Sequence, residues 1–156
     1  MKICKPVVAA AFALLMALEV SAQSFKVYPG ATKFTPPSTA ENKKALEALP
    51  PGATETIYIT NDAFEKVVAF YAGFAKGYTM PYAKKGAKLS NGQELKESYF
   101  IFDGAKDLMA SKSWAKVQRP YIGSVEMNGY TPEYHDIRDE TAIVLVEKKY
   151  QLTPRM

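Results

Sequence analysis

Between Thr54 and Tyr78 the spacing of apolar residues changes from two to three or four, and no other feature of the chain constrains its fold as much. In Thr54–Thr60, Ile57 and Ile59 alternate with Thr56, Tyr58 and Thr60, the period of a strand with two unlike faces. Directly afterwards Phe64, Val67, Val68, Tyr71, Phe74 and Tyr78 recur at helical steps, which predicts one apolar stripe along a helix over about 62–76. Asp62 and Glu65 have capping-box spacing, and Gly77 suits a C-terminal stop. A shorter helix is expected over about 39–49, introduced by Ser38 and Glu41 and ended by Pro50-Pro51-Gly52.

Further strands are expected at Glu97–Phe102, Trp114–Gln118 and Thr141–Val146, the last being the strongest in the chain. Ala105–Lys112 reads as a brief helical segment and Pro120–His135 as a tyrosine-rich loop. Met80–Gly92, carrying Lys84, Lys85 and Lys88, reads as a basic glycine-punctuated loop or hairpin tip. Few helices separate these strands, so the fold class is α+β, a mostly antiparallel sheet packed against the 62–76 helix. The strands around Phe100 and Val144 are apolar on both faces, although one helix can cover only one face. The second face therefore needs the 39–49 helix and the tyrosine-rich loop as cover, or a partner, because large apolar patches are uncommon on soluble monomers. No composition break divides residues 23–156, which are expected to form a single domain.

Residues 1–22 have the three parts of a secretory signal peptide. Lys2 and Lys5 form a positive start, Val7–Leu18 is an unbroken apolar run of 12 residues, and Val20-Ser21-Ala22 precedes an expected cut between Ala22 and Gln23. A membrane-spanning helix needs about 20 apolar residues, so the run favours cleavage over anchoring, and no membrane span is expected afterwards. Cleavage leaves 134 residues and lowers the net charge from +4 to +3, since Lys2, Lys5 and Glu19 depart. Cys4, the only cysteine, departs as well, so the core must form without disulfides or thiolate ligands. Asn-x-Ser/Thr acceptors are absent. The expected location is the periplasm, with secretion outside the cell as the alternative.

The residue inventory restricts chemistry. A single histidine, His135, rules out multi-histidine metal sites, and neither a nucleophile elbow, a phosphate loop nor a dinucleotide fingerprint is present. Ionisable groups concentrate at Glu133, His135, Asp136, Asp139 and Glu140. Functionally the cluster could bind a cation or supply a general acid and base, with His135, Asp136 and Asp139 the catalytic candidates. Structurally the same residues make a solvated acidic loop with Arg138 as a partner. Trp114, Tyr121, Tyr130 and Tyr134 could present an aromatic surface to a ligand or partner, or simply cover the open sheet face. The modest positive charge lacks the concentrated basic footprint of a nucleic-acid binder. No cofactor or metal is expected.

Tyr28-Pro29-Gly30-Ala31, the stretch Ile57–Tyr71 and the closing Asp136–Val146 resemble small bacterial exported domains of unknown function. Their shared pattern is Y-P-G-A followed by a strand and a T-x-D-x-x-x-x-V-V-x-F-Y helix, covering about half of the processed chain. The resemblance implies an exported α+β domain and brings no catalytic residues. The resulting expectation is a non-enzymatic binding or interaction module whose partner is an envelope protein or a small ligand. A small envelope hydrolase using carboxylates and His135 is the alternative, and a self-associating structural protein is a further one.

Overall fold

The computed structural model describes residues 23–81 and 86–149. The signal segment with Ala22, and Lys84 and Lys85 of the basic loop, lie outside the described residues, whereas Gln23 lies within them. In chain order the elements are β1 (Thr32–Phe34), α1 (Ala40–Glu47), β2 (Ala53–Thr60), α2 (Phe64–Ala72), β3 (Lys76–Tyr78), β4 (Ala87–Lys88), β5 (Glu94–Ile101), β6 (Ser113–Arg119), β7 (Tyr121–Asn128), β8 (Thr131–Arg138) and β9 (Thr141–Lys148). The main sheet has the order β1-β2-β9-β6-β5-β3, antiparallel at every step, with β4 added to β5. β7 and β8 form a separate hairpin. The α+β expectation holds in a strand-rich form.

Register determines which side chains share a face, because directly opposed residues point the same way. Thr56, Leu145, Ala115 and Phe100 form one row on the first face, and Tyr58, Ile143, Val117 and Ser98 form the next. α2 lies on this face, contacting β5 and β6 and inserting Val67 and Tyr71, both 0% exposed. The segment before β1 then crosses the helix. Phe25 stacks on Tyr71 at 5.8 Å and meets Phe102 edge-on at 5.4 Å, while Tyr28 meets Phe70 edge-on at 5.2 Å. Two hydroxyls fasten the segment: Tyr71 donates to the Lys26 carbonyl at 3.0 Å, and Tyr28 donates to Asp62 Oδ2 at 2.7 Å.

Several local expectations need correction. α2 ends at Ala72, with Gly73 at its C-cap, because Lys76–Tyr78 exchanges helical bonds for a ladder with β5. Gly77, expected as the stop, therefore lies within β3. Ala63 is the N-cap and makes no side-chain capping bond, since the Asp62 carboxylate is engaged by Tyr28 and by Lys66 Nζ at 2.9 Å. In α1 the cap is Thr39, one residue after Ser38, and its hydroxyl accepts from the Asn42 amide at 3.2 Å. The 105–112 segment holds turns instead of a helix, organised by Asp103, which accepts from Ser111 Oγ at 2.9 Å and from the Lys112 and Ala105 amides. The tyrosine-rich loop is the β7–β8 hairpin, closed at Gly129-Tyr130 between the opposed Asn128 and Thr131.

Candidate functional site

The second sheet face has the apolar character its strands require, and its cover is incomplete. Phe34, Ile57, Val144 and Lys116 form one row across it, with Ile59, Ala142 and Gln118 in the next. α1 and the β7–β8 hairpin arch over these rows and contact each other. Between them remains a cleft of about 580 Å³. Its floor is Ile57, Ala142, Val144, Lys116 and Gln118, one wall is the 33–38 segment with α1, and the other is Tyr121–Val125 of β7. No residue of α1 is buried, and Leu46, which faces the cleft, is 54% exposed.

One end is closed by an aromatic and ionic stack. Phe34 and Tyr121 meet edge-on at 5.2 Å, and the Arg138 guanidinium lies 5.1 Å and 5.6 Å from their ring centres. Such cation–ring contacts are worth about 0.5–1 kcal/mol when exposed and more when desolvated. Asp136 holds Arg138 in place through two bonds of 2.9 Å. To reach it, Asp136 adopts a φ of 52°, a conformation aspartate tolerates better than most residues. Its side chain then lies over Gly123, where an added Cβ would stand 2.7 Å from Asp136 Cβ. Glycine is required there for that close approach.

Polar groups punctuate the cleft. Lys116 Nζ is 3.7 Å from Glu97 Oε1 and only partly exposed. Glu55 is exposed as a whole, yet partial desolvation of its carboxyl pushes its pKa above the usual value, and the nearby Lys116 charge opposes the rise. Gln118 is buried, donating from Nε2 to the Pro120 carbonyl at 3.2 Å. Tyr121 is 3% exposed, and its hydroxyl has no hydrogen-bond partner among the described residues. Desolvation raises the pKa of that hydroxyl, so it remains a protonated donor. An apolar floor with a few placed donors and charges is the usual make-up of a ligand site.

The residues singled out from sequence are distributed differently. Tyr121 belongs to the cleft wall, whereas Tyr130 is fully exposed at the hairpin turn. Seven steps along β7, at ~3.3 Å each, carry the chain about 23 Å from Tyr121 to Asn128, the end of the hairpin at which Tyr130 sits. Tyr134 is opposite Val125 on the hairpin, and Trp114 is on β6 beside Tyr99, with ring centres 6.3 Å apart. His135 is opposite Ser124, half exposed, with Nε2 at 3.6 Å from Glu126 Oε2. Asp136 serves Arg138, and Asp139 accepts from Arg119 Nε at 3.1 Å. No three His, Cys, Asp or Glu side chains among the described residues are grouped to hold a metal ion. The Phe34, Ile57 and Lys116 row was not identified from sequence, although the doubly apolar strand around Val144 pointed to that face. No protein-family model, curated protein or solved structure matches the chain.

Proposed function

We propose that this chain is an exported, periplasmic, non-enzymatic binding module whose ligand occupies the cleft between the second sheet face, α1 and β7. The cleft supports this reading above all: it is sizeable, largely apolar, and lined by a few charged side chains, among them Lys116 and Glu55. A hydrolase built on His135 draws less support, because Asp136 and Asp139 are each engaged by a different arginine. Met127 and Tyr130 are exposed toward the hairpin turn and support a contact surface there, the basis for the self-association alternative.

The test is an amide-resolved NMR titration of residues 23–156 with size-fractionated low-molecular-weight extracts of a bacterial envelope. Saturable shifts concentrated on Phe34, Ile57, Lys116, Gly123 and Val144 are expected. Shifts confined to Glu133–Asp139, accompanied by consumption of an extract component, would establish the hydrolase instead. Amino-terminal sequencing of the exported product checks the processing site, with Gln23 expected first.

A further inference from the structure

We infer that the cleft takes an extended polypeptide segment carrying an acidic side chain, which adds as a strand along the free edge of β7. This inference rests on the binding-module reading and specifies the occupant of its cleft. In a strand, successive side chains point to opposite faces, so a cavity lying against one face meets every second residue. All five residues of Tyr121–Val125 line this cleft. The cavity therefore runs along the edge of β7, where the backbone of Ile122–Val125 meets it; the Tyr121 amide already donates to the Glu140 carbonyl at 3.0 Å, and β8 occupies the opposite edge. Another extended backbone has the spacing to match those groups, and strand addition is an established mode of peptide recognition.

Three further observations identify β7 as the receiving edge and give the guest its character. Exposed edges are commonly blunted by proline or charge. The facing wall carries Lys33, Pro36 and Pro37, whereas Tyr121–Val125 contains no proline and no charged residue. The five residues span about 16 Å at ~3.3 Å each, room for an extended segment of similar length. Finally, Lys33, Lys43 and Lys116 line the cleft together with Glu41 and Glu55. The Glu41 carboxylate is bonded by its own backbone amide and the Thr39 hydroxyl. By formal count three lysines against two glutamates leave the lining at +1, and Lys116 on the floor, 3.7 Å from Glu97 Oε1, is the cation a guest carboxylate would meet there.

The experiment uses residues 23–156 with two randomised acetylated hexapeptide libraries, one with aspartate fixed at a central position and one with lysine there. Dodecanoate serves as a non-peptide probe. Members of the aspartate library should bind at least tenfold more tightly, and amide exchange within Ile122–Val125 should slow at least tenfold on binding. N-methylating alternate backbone amides of a selected hexapeptide should reduce its affinity at least tenfold in one methylation phase, a control that leaves the protein unaltered. Lys116→Gln should erase the preference for aspartate while β7 protection persists. Dodecanoate binding in the cleft without peptide binding overturns the strand-addition inference and leaves the binding-module reading standing. Peptide binding indifferent to methylation in both phases, or protection outside β7, also overturns it. Protection of β7 that rises with protein concentration alone assigns the edge to a second copy. If nothing from the libraries, dodecanoate or envelope extracts binds the cleft, both readings fall.

Discussion

Removing the hydroxyl from two buried tyrosines should change stability in opposite directions. Tyr71 and Tyr121 are 0% and 3% exposed, and each is converted by Tyr→Phe into a ring of nearly the same shape. The Tyr71 hydroxyl donates to the Lys26 carbonyl at 3.0 Å. Its loss removes a net bond worth about 1 kcal/mol and leaves a partly buried carbonyl unpaired, so Tyr71→Phe should cost about 1–2 kcal/mol. The Tyr121 hydroxyl has no partner among the described residues, so its burial carries a desolvation penalty of about 1–3 kcal/mol with no bond to offset it. Tyr121→Phe should therefore be neutral or stabilising by about 1 kcal/mol. The two variants should differ by roughly 1–3 kcal/mol, or about 3–15 °C in Tm for a domain of this length. Urea titration of both, with the m-value checked for constancy, provides the measurement. A Tyr121→Phe variant destabilised as much as Tyr71→Phe would falsify the assignment of an unspent donor in the cleft wall. A Tyr121→Phe gain in stability accompanied by weaker cleft binding would show the same hydroxyl serving a ligand.

Gly123→Ala should destabilise the hairpin by about 1–3 kcal/mol, because its Cβ would stand 2.7 Å from Asp136 Cβ; urea melts and loss of the His135–Ser124 cross-strand NMR contacts would register it. Arg119→Lys should cost about 2 kcal/mol, since one guanidinium bonds the Asp62 carbonyl at 3.0 Å, Thr141 Oγ1 at 3.1 Å and the Asp139 carbonyl at 2.9 Å, whereas Asp139→Ala should cost about 0.5–1 kcal/mol. Two carboxyls should show opposite pH signatures. The Tyr28 hydroxyl first, and Lys66 second, hold Asp62 below its ordinary 3.8, so its contribution is present above that pH and lost as pH falls through the lower folded value. Asp62→Asn should flatten acid unfolding in that window. Desolvation raises Glu55 above its ordinary 4.5, so its charged form costs stability once pH exceeds that value. Glu55→Gln should accordingly stabilise at pH 7 and have little effect at pH 3, as thermal melts at both pH values will show.

The elements legible in the sequence are those where a single period dominates. β2 and α2 follow from alternation in Thr54–Thr60 and the stripe from Phe64 to Tyr71, which tertiary structure reinforces. Errors fall where a long-range partner outweighs a local signal. Asp62 has the position of a cap, yet Tyr28, 34 residues earlier, engages its carboxylate. Phe74 and Tyr78 continue the helical spacing, but β5 draws Lys76–Tyr78 into the sheet. The 120–135 stretch reads as a loop because Pro120, Gly123, Gly129 and Pro132 interrupt it, while pairing from Tyr121–Arg138 to Asn128–Thr131 makes it a hairpin. The clustered charges around His135 were visible, but their division between Arg138, Arg119 and Glu126 depends on β8 pairing and the β8–β9 turn. Clustering in sequence did not give these side chains a common partner.

The cleft follows from a mismatch between sheet and helices. A six-strand path presents two broad faces, and the apolar residues of β9 occupy both. α2, with the aromatic segment before β1, closes the first face using fully buried side chains. The second receives only α1, which buries nothing, and a hairpin anchored at one end by Phe34, Tyr121 and Arg138. If stability alone shaped that face, a helix bearing an apolar stripe would cover the Ile57–Val144 row more effectively than the polar α1 does. Instead the row is left partly open beside Lys116 and an unpaired strand edge. Those features add little to folding, and together they are what a site for an extended guest requires.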